Sequence, residues 1–127
     1  MATFFSAEWI AGVDAAVQAS PEVAAAAQGK NLVFEQVAVG HPDGEVAYHL
    51  IVDDGTVHAV TGRAEAPTVS ITGPWETYIR INKGEISPPI ALMSGKARVK
   101  GERLLLIRQQ ALFSAIHQAT MAAPVDY

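Results

Sequence analysis

The sequence predicts a protein of the α/β class in its α+β form, with helices first, a mainly antiparallel sheet next and a long helix to close. Three observations carry this. Apolar residues recur at helical spacing between residues 6 and 29. From Asn31 the texture changes to short β-branched and aromatic runs cut by turn signals. Residues 102 to 121 then carry a wide apolar stripe.

Ser6 suits the N-cap of a first helix on which Trp9, Ile10, Val13, Ala16 and Val17 share a face, with Phe5 placed to staple onto Ile10. Ser20, Pro21 and Glu22 read as the cap and first positions of a short second helix, and Gly29 stops it. LVFEQVAV (32–39) and VAYHLIV (46–52) read as strands joined through HPDG. If Asp54-Gly55 is a two-residue hairpin loop, Val52 faces Val57, Leu50 faces Ala59 and Tyr48 faces Thr61 on the inner side. His49, Ile51, His58 and Val60 then share the outer side. Both parities of the first strand contain apolar residues, so its inward face stays open.

A fourth strand, Thr68 to Thr72, alternates Val69 and Ile71 with polar residues, which predicts one buried and one wet side. Gly73-Pro74-Trp75-Glu76 opens a third helix with Pro at its first position, carrying Trp75, Tyr78, Ile79 and Asn82 on one side. Ser87-Pro88-Pro89 opens a short fourth helix that ends at Gly95. Lys96, Arg98 and Lys100 then point to one side of a fifth strand and Ala97 and Val99 to the other. Such a basic row protects an edge strand from stray pairing; holding an anionic head group or an acidic partner is the other reading. The last helix, Glu102 to Met121, is apolar over most of its girth. Only Arg103, Gln110, Ser114, His117 and Gln118 are expected to face water.

A chain of 127 residues, half of them hydrophobic, fits one domain over residues 1–127 that buries roughly two thirds of its unfolded surface. Its 17% charged content lies below the ~25% usual for soluble domains, so apolar surface is in surplus. The absence of cysteine excludes disulfides and thiolate chemistry. With net charge −4 and no interleaving of bases with aromatics, no nucleic acid is expected as partner. The N-terminus lacks a signal-peptide pattern and no apolar run reaches membrane-spanning length, so a cytoplasmic protein is expected.

Catalytic signatures are missing. His41, His49, His58 and His117 show no metal-ligand spacing, and there is no G-x-S-x-G elbow or phosphate-cradling glycine loop, so neither metal nor cofactor is expected.

ITGPWETYIRINKGEISPPIALMSGKARVKGERLLL, residues 71 to 106, resembles the C-terminal half of the sterol carrier protein 2 domain family. The likeness rests on Gly84, Met93, Ser94, Gly95, Lys96 and Gly101 and extends in element order over about residues 5 to 122. It departs from the family in the AAAA helix and in the ending Val125-Asp126-Tyr127, which is not a peroxisomal tripeptide. The resemblance implies a five-stranded mixed sheet covered by helices, with an apolar tunnel between them for fatty acyl chains, acyl-CoA or sterol-like lipids. A sixteen-carbon chain in such a tunnel would gain on the order of 12 kcal/mol before ordering costs.

It further implies a ligand-binding set of Trp9, Trp75, Ile79, Ile90, Met93, Leu105, Gln109, Leu112, Phe113 and Ile116; the thioether chains of Met93 and Met121 suit either a pliable wall or gap-filling in a solid core. The implied function is non-catalytic lipid binding and transfer, with a lipid-metabolising enzyme or a membrane surface as transient partner. Two alternatives stand beside it. One is a small ketosteroid isomerase-like enzyme, with Asp14 or Glu35 as base in an apolar pocket. The other is an adaptor subunit that binds through the Ile51 and Val60 sheet face.

Overall fold

A computed structural model describes residues 2–127. The chain forms α1 (Ala7–Ala19), α2 (Pro21–Ala27), β1 (Asn31–His41), β2 (Gly44–Asp53), β3 (Thr56–Thr61), β4 (Val69–Pro74), α3 (Trp75–Asn82), α4 (Pro88–Met93), β5 (Arg98–Gly101), α5 (Leu105–Arg108) and α6 (Gln110–Ala122). The strands make one sheet in the order β3-β2-β1-β4-β5, antiparallel except for the central β1–β4 pair. This is the expected five-stranded mixed sheet. Among the described residues no helix is long and apolar enough to cross a membrane.

Local chemistry explains the early elements. Ser6 Oγ accepts from Trp9 N at 3.1 Å and Ser20 Oγ from Val23 N at 3.2 Å, so each caps its helix. Phe5 adopts φ +66° and turns into an aromatic cluster, with its ring stacked 5.5 Å from Trp9 and edge-on 5.1 Å from Tyr48. The tail holds this segment: Asp126 N donates to Ala2 O and Phe4 N to Asp126 O. Asp54 and Gly55, at φ 40° and 94°, make the hairpin turn that requires positive φ at both central residues. The expected register Val52–Val57, Leu50–Ala59 and Tyr48–Thr61 follows from it.

Because β4 lies beyond β1, the chain after β3 must cross the sheet, and residues 62–68 do so over its outer face. That crossover corrects the expected wet side of β4. Ser70, expected on a wet side, is buried, and Glu35 of β1 is fully buried beside it. Glu35 accepts from Ser70 Oγ at 2.7 Å, from Ala64 N at 2.7 Å and from Arg63 Nη2 at 3.2 Å, which pins the crossover down. Burial alone would raise the Glu35 pKa. The hydrogen bonds from Ser70, Arg63 and Ala64, with the Arg63 charge, outweigh it and hold the carboxyl below the ordinary carboxylate value.

Both sheet edges are guarded. On β5, Arg98 and Lys100 are exposed. On β3, the Ala59 N–H donates to Asp14 Oδ1 of α1 at 2.9 Å. Asp14→Ala is expected to destabilise the fold by about 1 kcal/mol in urea unfolding and to increase self-association, because a strand N–H loses its acceptor.

Element boundaries differ from expectation, and β5 begins only at Arg98, which leaves Lys96 of the basic row outside the strand. Gly73 and Pro74 complete β4, so α3 begins one residue later, with Pro74 as its N-cap. The closing helix is broken: Gln109 takes φ −109°, ψ 33° between α5 and α6. The break re-aims the stripe, leaving Leu104 58% and Ile107 73% exposed while Leu112 and Ile116 stay in the core.

Candidate functional site: an apolar cavity between sheet and helices

A cavity of about 540 Å³ lies between the sheet and the helices, within the range of small-molecule sites. Its floor is the inner face of the sheet. The pairings Phe34–Val69, Gln36–Ile71 and Ala38–Gly73 put the even-numbered β1 residues inward, which resolves the open parity, and Phe34, Gln36, Ile71 and Gly73 line the floor. Tyr48, opposite Gln36 in the β1–β2 ladder, joins them, and Phe4, Phe5 and Trp9 close one side. Thr77, Tyr78, Ile81 and Asn82 of α3, Ala91 and Leu92 of α4, Leu106 of α5, and Phe113 and Ile116 of α6 complete the walls. Exposed Ser87, Pro89, Gln110, Ser114 and Gln118 belong to the lining too, so the cavity reaches solvent between α4 and α6.

The polar groups inside are few. Gln36 Nε2 donates to Tyr48 Oη at 2.8 Å, and Tyr78 Oη donates to the Ile71 carbonyl at 3.0 Å. Burial pushes the phenol pKa of both tyrosines up, with the neighbouring Tyr48 adding to the effect at Tyr78. Burial also lowers the His117 pKa, so its imidazole is neutral near pH 7. Among the described residues, Trp9 Nε1 is the buried side-chain polar atom with no partner. A buried donor left so costs about 1–3 kcal/mol.

Of the ten residues expected from sequence, the cavity brings together Trp9, Phe113 and Ile116. The other seven lie outside its lining. Trp75 is half-buried in the aromatic cluster, with Phe4 at 5.1 Å and His41 edge-on at 4.5 Å. Ile79 packs half-buried against the core, and Leu112, fully buried, belongs to the solid part of it. Ile90 (57% exposed) and Met93 (87% exposed) point to solvent, because the short α4 turns Ala91 and Leu92 inward. Leu105 opens α5 and Gln109 is the α5–α6 break itself, and Leu106 and Gln110 line the cavity in their place. His117, Gln110, Ser114 and Gln118, expected to face water alone, are lining residues for the same reason.

Sequence reasoning also missed Gln36, Phe34 and the pair Phe4-Phe5. A polar Gln36 inside LVFEQVAV, opposite an inward Tyr48, was the available signal once the register was known.

The basic row and the alternative catalytic groups lie elsewhere. Lys100 pairs with Ser70 and Arg98 with Thr72, so both share the Glu35 face of the sheet and point away from the cavity. Asp14 is held by Ala59 N and lies 3.4 Å from His58 Nδ1. Glu35 is held under the crossover. Neither carboxylate lines the cavity, and among the described residues no cluster of His, Cys, Asp or Glu could hold a metal.

The sequence matches the SCP-2 sterol transfer family over residues 12–114. No curated protein matches it significantly. Among solved structures it is similar to a crystal structure of sterol carrier protein 2, with TM-score 0.82 and 20% identity over 95% of this chain and 99% of that one. It is also similar to the solution structure of a conserved hypothetical protein of Thermus thermophilus, described as possibly a sterol carrier protein: TM-score 0.79, 20% identity, 99% of this chain and 93% of that one. A third similar structure is that of palmitated SCP2L2 from Aedes aegypti, at TM-score 0.60 and 22% identity over 88% and 95% of the two chains.

Proposed function

The chain belongs to the SCP-2 sterol transfer family, and on that premise we propose that residues 1–127 act as one non-catalytic module that takes a lipid into the cavity and carries it. The observation that supports this best is an apolar space of about 540 Å³, floored by the sheet and open between α4 and α6. Each methylene moved into it contributes roughly 0.8 kcal/mol, and binding of that kind requires no covalent step. Fatty acyl chains and sterol-like molecules are the candidate cargo. Trp9, Phe113, Ile116 and the wall residue Met121 are the contacts retained from sequence, joined by Phe34, Gln36 and Tyr48. Delivery is to a lipid-metabolising enzyme or a membrane surface met transiently. An isomerase-like reaction through Asp14 or Glu35 has no supporting feature, since neither carboxylate reaches the lining.

Native mass spectrometry of freshly purified protein, followed by lipid extraction, tests the reading. Co-purified lipid at near-unit stoichiometry is expected; protein that never takes up an apolar ligand contradicts it. Filling the cavity from α4 offers a second check. Ala91→Phe is expected to weaken lipid binding at least tenfold in a displacement titration while circular dichroism stays unchanged, at an overpacking cost of about 1–3 kcal/mol.

A further inference from the structure

We propose that the rim of the cavity mouth, formed by α4, the segment into β5 and α5, docks on the surface of a bilayer that carries anionic lipid. The inference rests on the lipid-carrier reading and chooses the membrane from its two delivery partners.

The bases divide into two groups. Four of the nine lie before residue 90, and the fold engages each of them: Lys30 Nζ donates to the Ala26 carbonyl, Arg63 bridges Glu35 and Glu45, Arg80 meets Glu85 at 3.5 Å, and Lys83 stands over the Tyr127 ring. The other five, Lys96, Arg98, Lys100, Arg103 and Arg108, are exposed, and among the described residues none of them has an acidic or aromatic partner. Glu102 is the one acid in this stretch, in a chain of thirteen acids and net charge −4. So local a cluster of uncompensated bases matches an anionic surface. The N-terminal helices offer no such match, since residues 1–29 contain no Lys or Arg.

The same stretch of chain carries the four most exposed large apolar side chains among the described residues, Ile90, Met93, Leu104 and Ile107. Their spacing explains it. Ile90 and Met93 stand three apart on α4, and Leu104 and Ile107 three apart at α5, so each pair shares one helix face. Ala91, Leu92 and Leu106 turn the other way, into the cavity, and Ala97 lines it between them. The chain from α4 to α5 thus borders a single mouth. Arg108, four residues after Leu104, joins the outer face of α5. Arg98 and Lys100, on the outer face of the edge strand β5, add to the field from its side.

A protein partner would need a pocket for each protruding tip, whereas a bilayer receives aliphatic side chains at any spacing and leaves the neighbouring bases at headgroup depth. Docked in this way, the mouth opens onto the acyl layer. A cargo chain then passes between cavity and bilayer without crossing water.

Co-sedimentation of the full chain with phosphatidylcholine vesicles, with and without about 30 mol% phosphatidylserine, tests this. Binding at least tenfold tighter to the anionic vesicles is expected, falling steeply between about 0.05 and about 0.5 M salt. Met93→Ser with Ile107→Ser, and separately Lys96→Gln with Arg108→Gln, should each weaken it at least fivefold. Lys30→Gln with Arg80→Gln removes the same charge elsewhere and should change it less than twofold. None of these side chains lines the cavity, so displacement of a fluorescent acyl probe in vesicle-free solution should stay as in wild type. No preference for anionic vesicles, or an unchanged affinity in either rim variant, overturns the inference, while probe uptake keeps the carrier reading. A wild type that ignores vesicles and elutes as a dimer, dissociated by Met93→Ser with Ile107→Ser, overturns it in favour of a second copy on this face. Rim-dependent vesicle binding by a protein that takes up no probe supports the docking face and removes the carrier reading.

Discussion

Glu35→Ala is expected to lower stability by about 3 kcal/mol, because it strips two buried or half-buried donors, Ser70 Oγ and Ala64 N, of their acceptor at about 1–3 kcal/mol each. Arg63, whose side chain is more than half exposed, adds little on top. The variant should also loosen residues 62–68, which would be read as faster amide exchange at Ala64, since that crossover is fastened to the sheet through this carboxylate. Glu35→Gln keeps part of the hydrogen bonding and is expected to fall between wild type and alanine. The pH dependence follows from the depressed folded pKa. Stability from the ionised carboxylate is fully present above its unfolded value of about 4.5 and is lost as pH falls through the lower folded value. Urea midpoints should therefore favour wild type over Glu35→Gln at pH 6, and the gap should close progressively below pH 4.5. A gap that persists unchanged at the acid end would contradict this account.

Gly101→Ala carries an effect of similar size through the backbone. Gly101 sits at φ +89°, and a Cβ there would overlap the Thr68 carbonyl oxygen and crowd Val69 Cα at 3.3 Å. Backbone atoms of Thr68 and Val69 cannot step aside as a flexible side chain would, and Val69 pairs directly with Gly101. Positive φ and the overlap together are expected to cost about 3 kcal/mol or more. The result to look for is detachment of β5 at its Val69 end, visible as lost amide protection at Val99 and Gly101 with the β1–β2–β3 hairpins still protected. Gly95→Ala makes the control. It shares the positive φ of 76° but has nothing within 4 Å, so it should cost only about 1 kcal/mol. Equal effects at the two positions would refute the steric explanation.

These two residues also show where the sequence was readable. Gly101 belongs to a glycine-bounded pattern visible in the sequence, and the structure supplies its cause, a close approach of two strands. The Asp54-Gly55 hairpin was legible because positive φ at both positions is a local demand that few residue pairs satisfy, and three cross-strand pairings follow from it by counting. The helix caps at Ser6 and Ser20 were legible for the same local reason.

What escaped depends on contacts distant in sequence. Glu35 stands in an apolar run, and the crossover that provides its partners is determined by strand order. The inward parity of β1 could not be counted back from the hairpin, because the ladder slips between Ala38 and His41, where Gly40 takes φ +83°. The break at Gln109 has no proline or glycine to announce it, and it moved the lining from Leu105 and Gln109 to Leu106 and Gln110. Ile90 and Met93 read as buried aliphatics although α4 spans only six residues and buries Ala91 alone. The cavity was therefore foreseen as a place between sheet and helices, while most of its walls were not.

The most direct measurement is isotope-filtered NMR on the protein with uniformly ¹³C-labelled 1-dodecanol, reading intermolecular NOEs from the alkyl chain. The account predicts NOEs to the rings of Phe34 and Phe113 and to the Ile116 methyls. NOEs confined to Ile51, Val60 and Val39 on the outer sheet face, or none from the interior at saturating ligand, would contradict it.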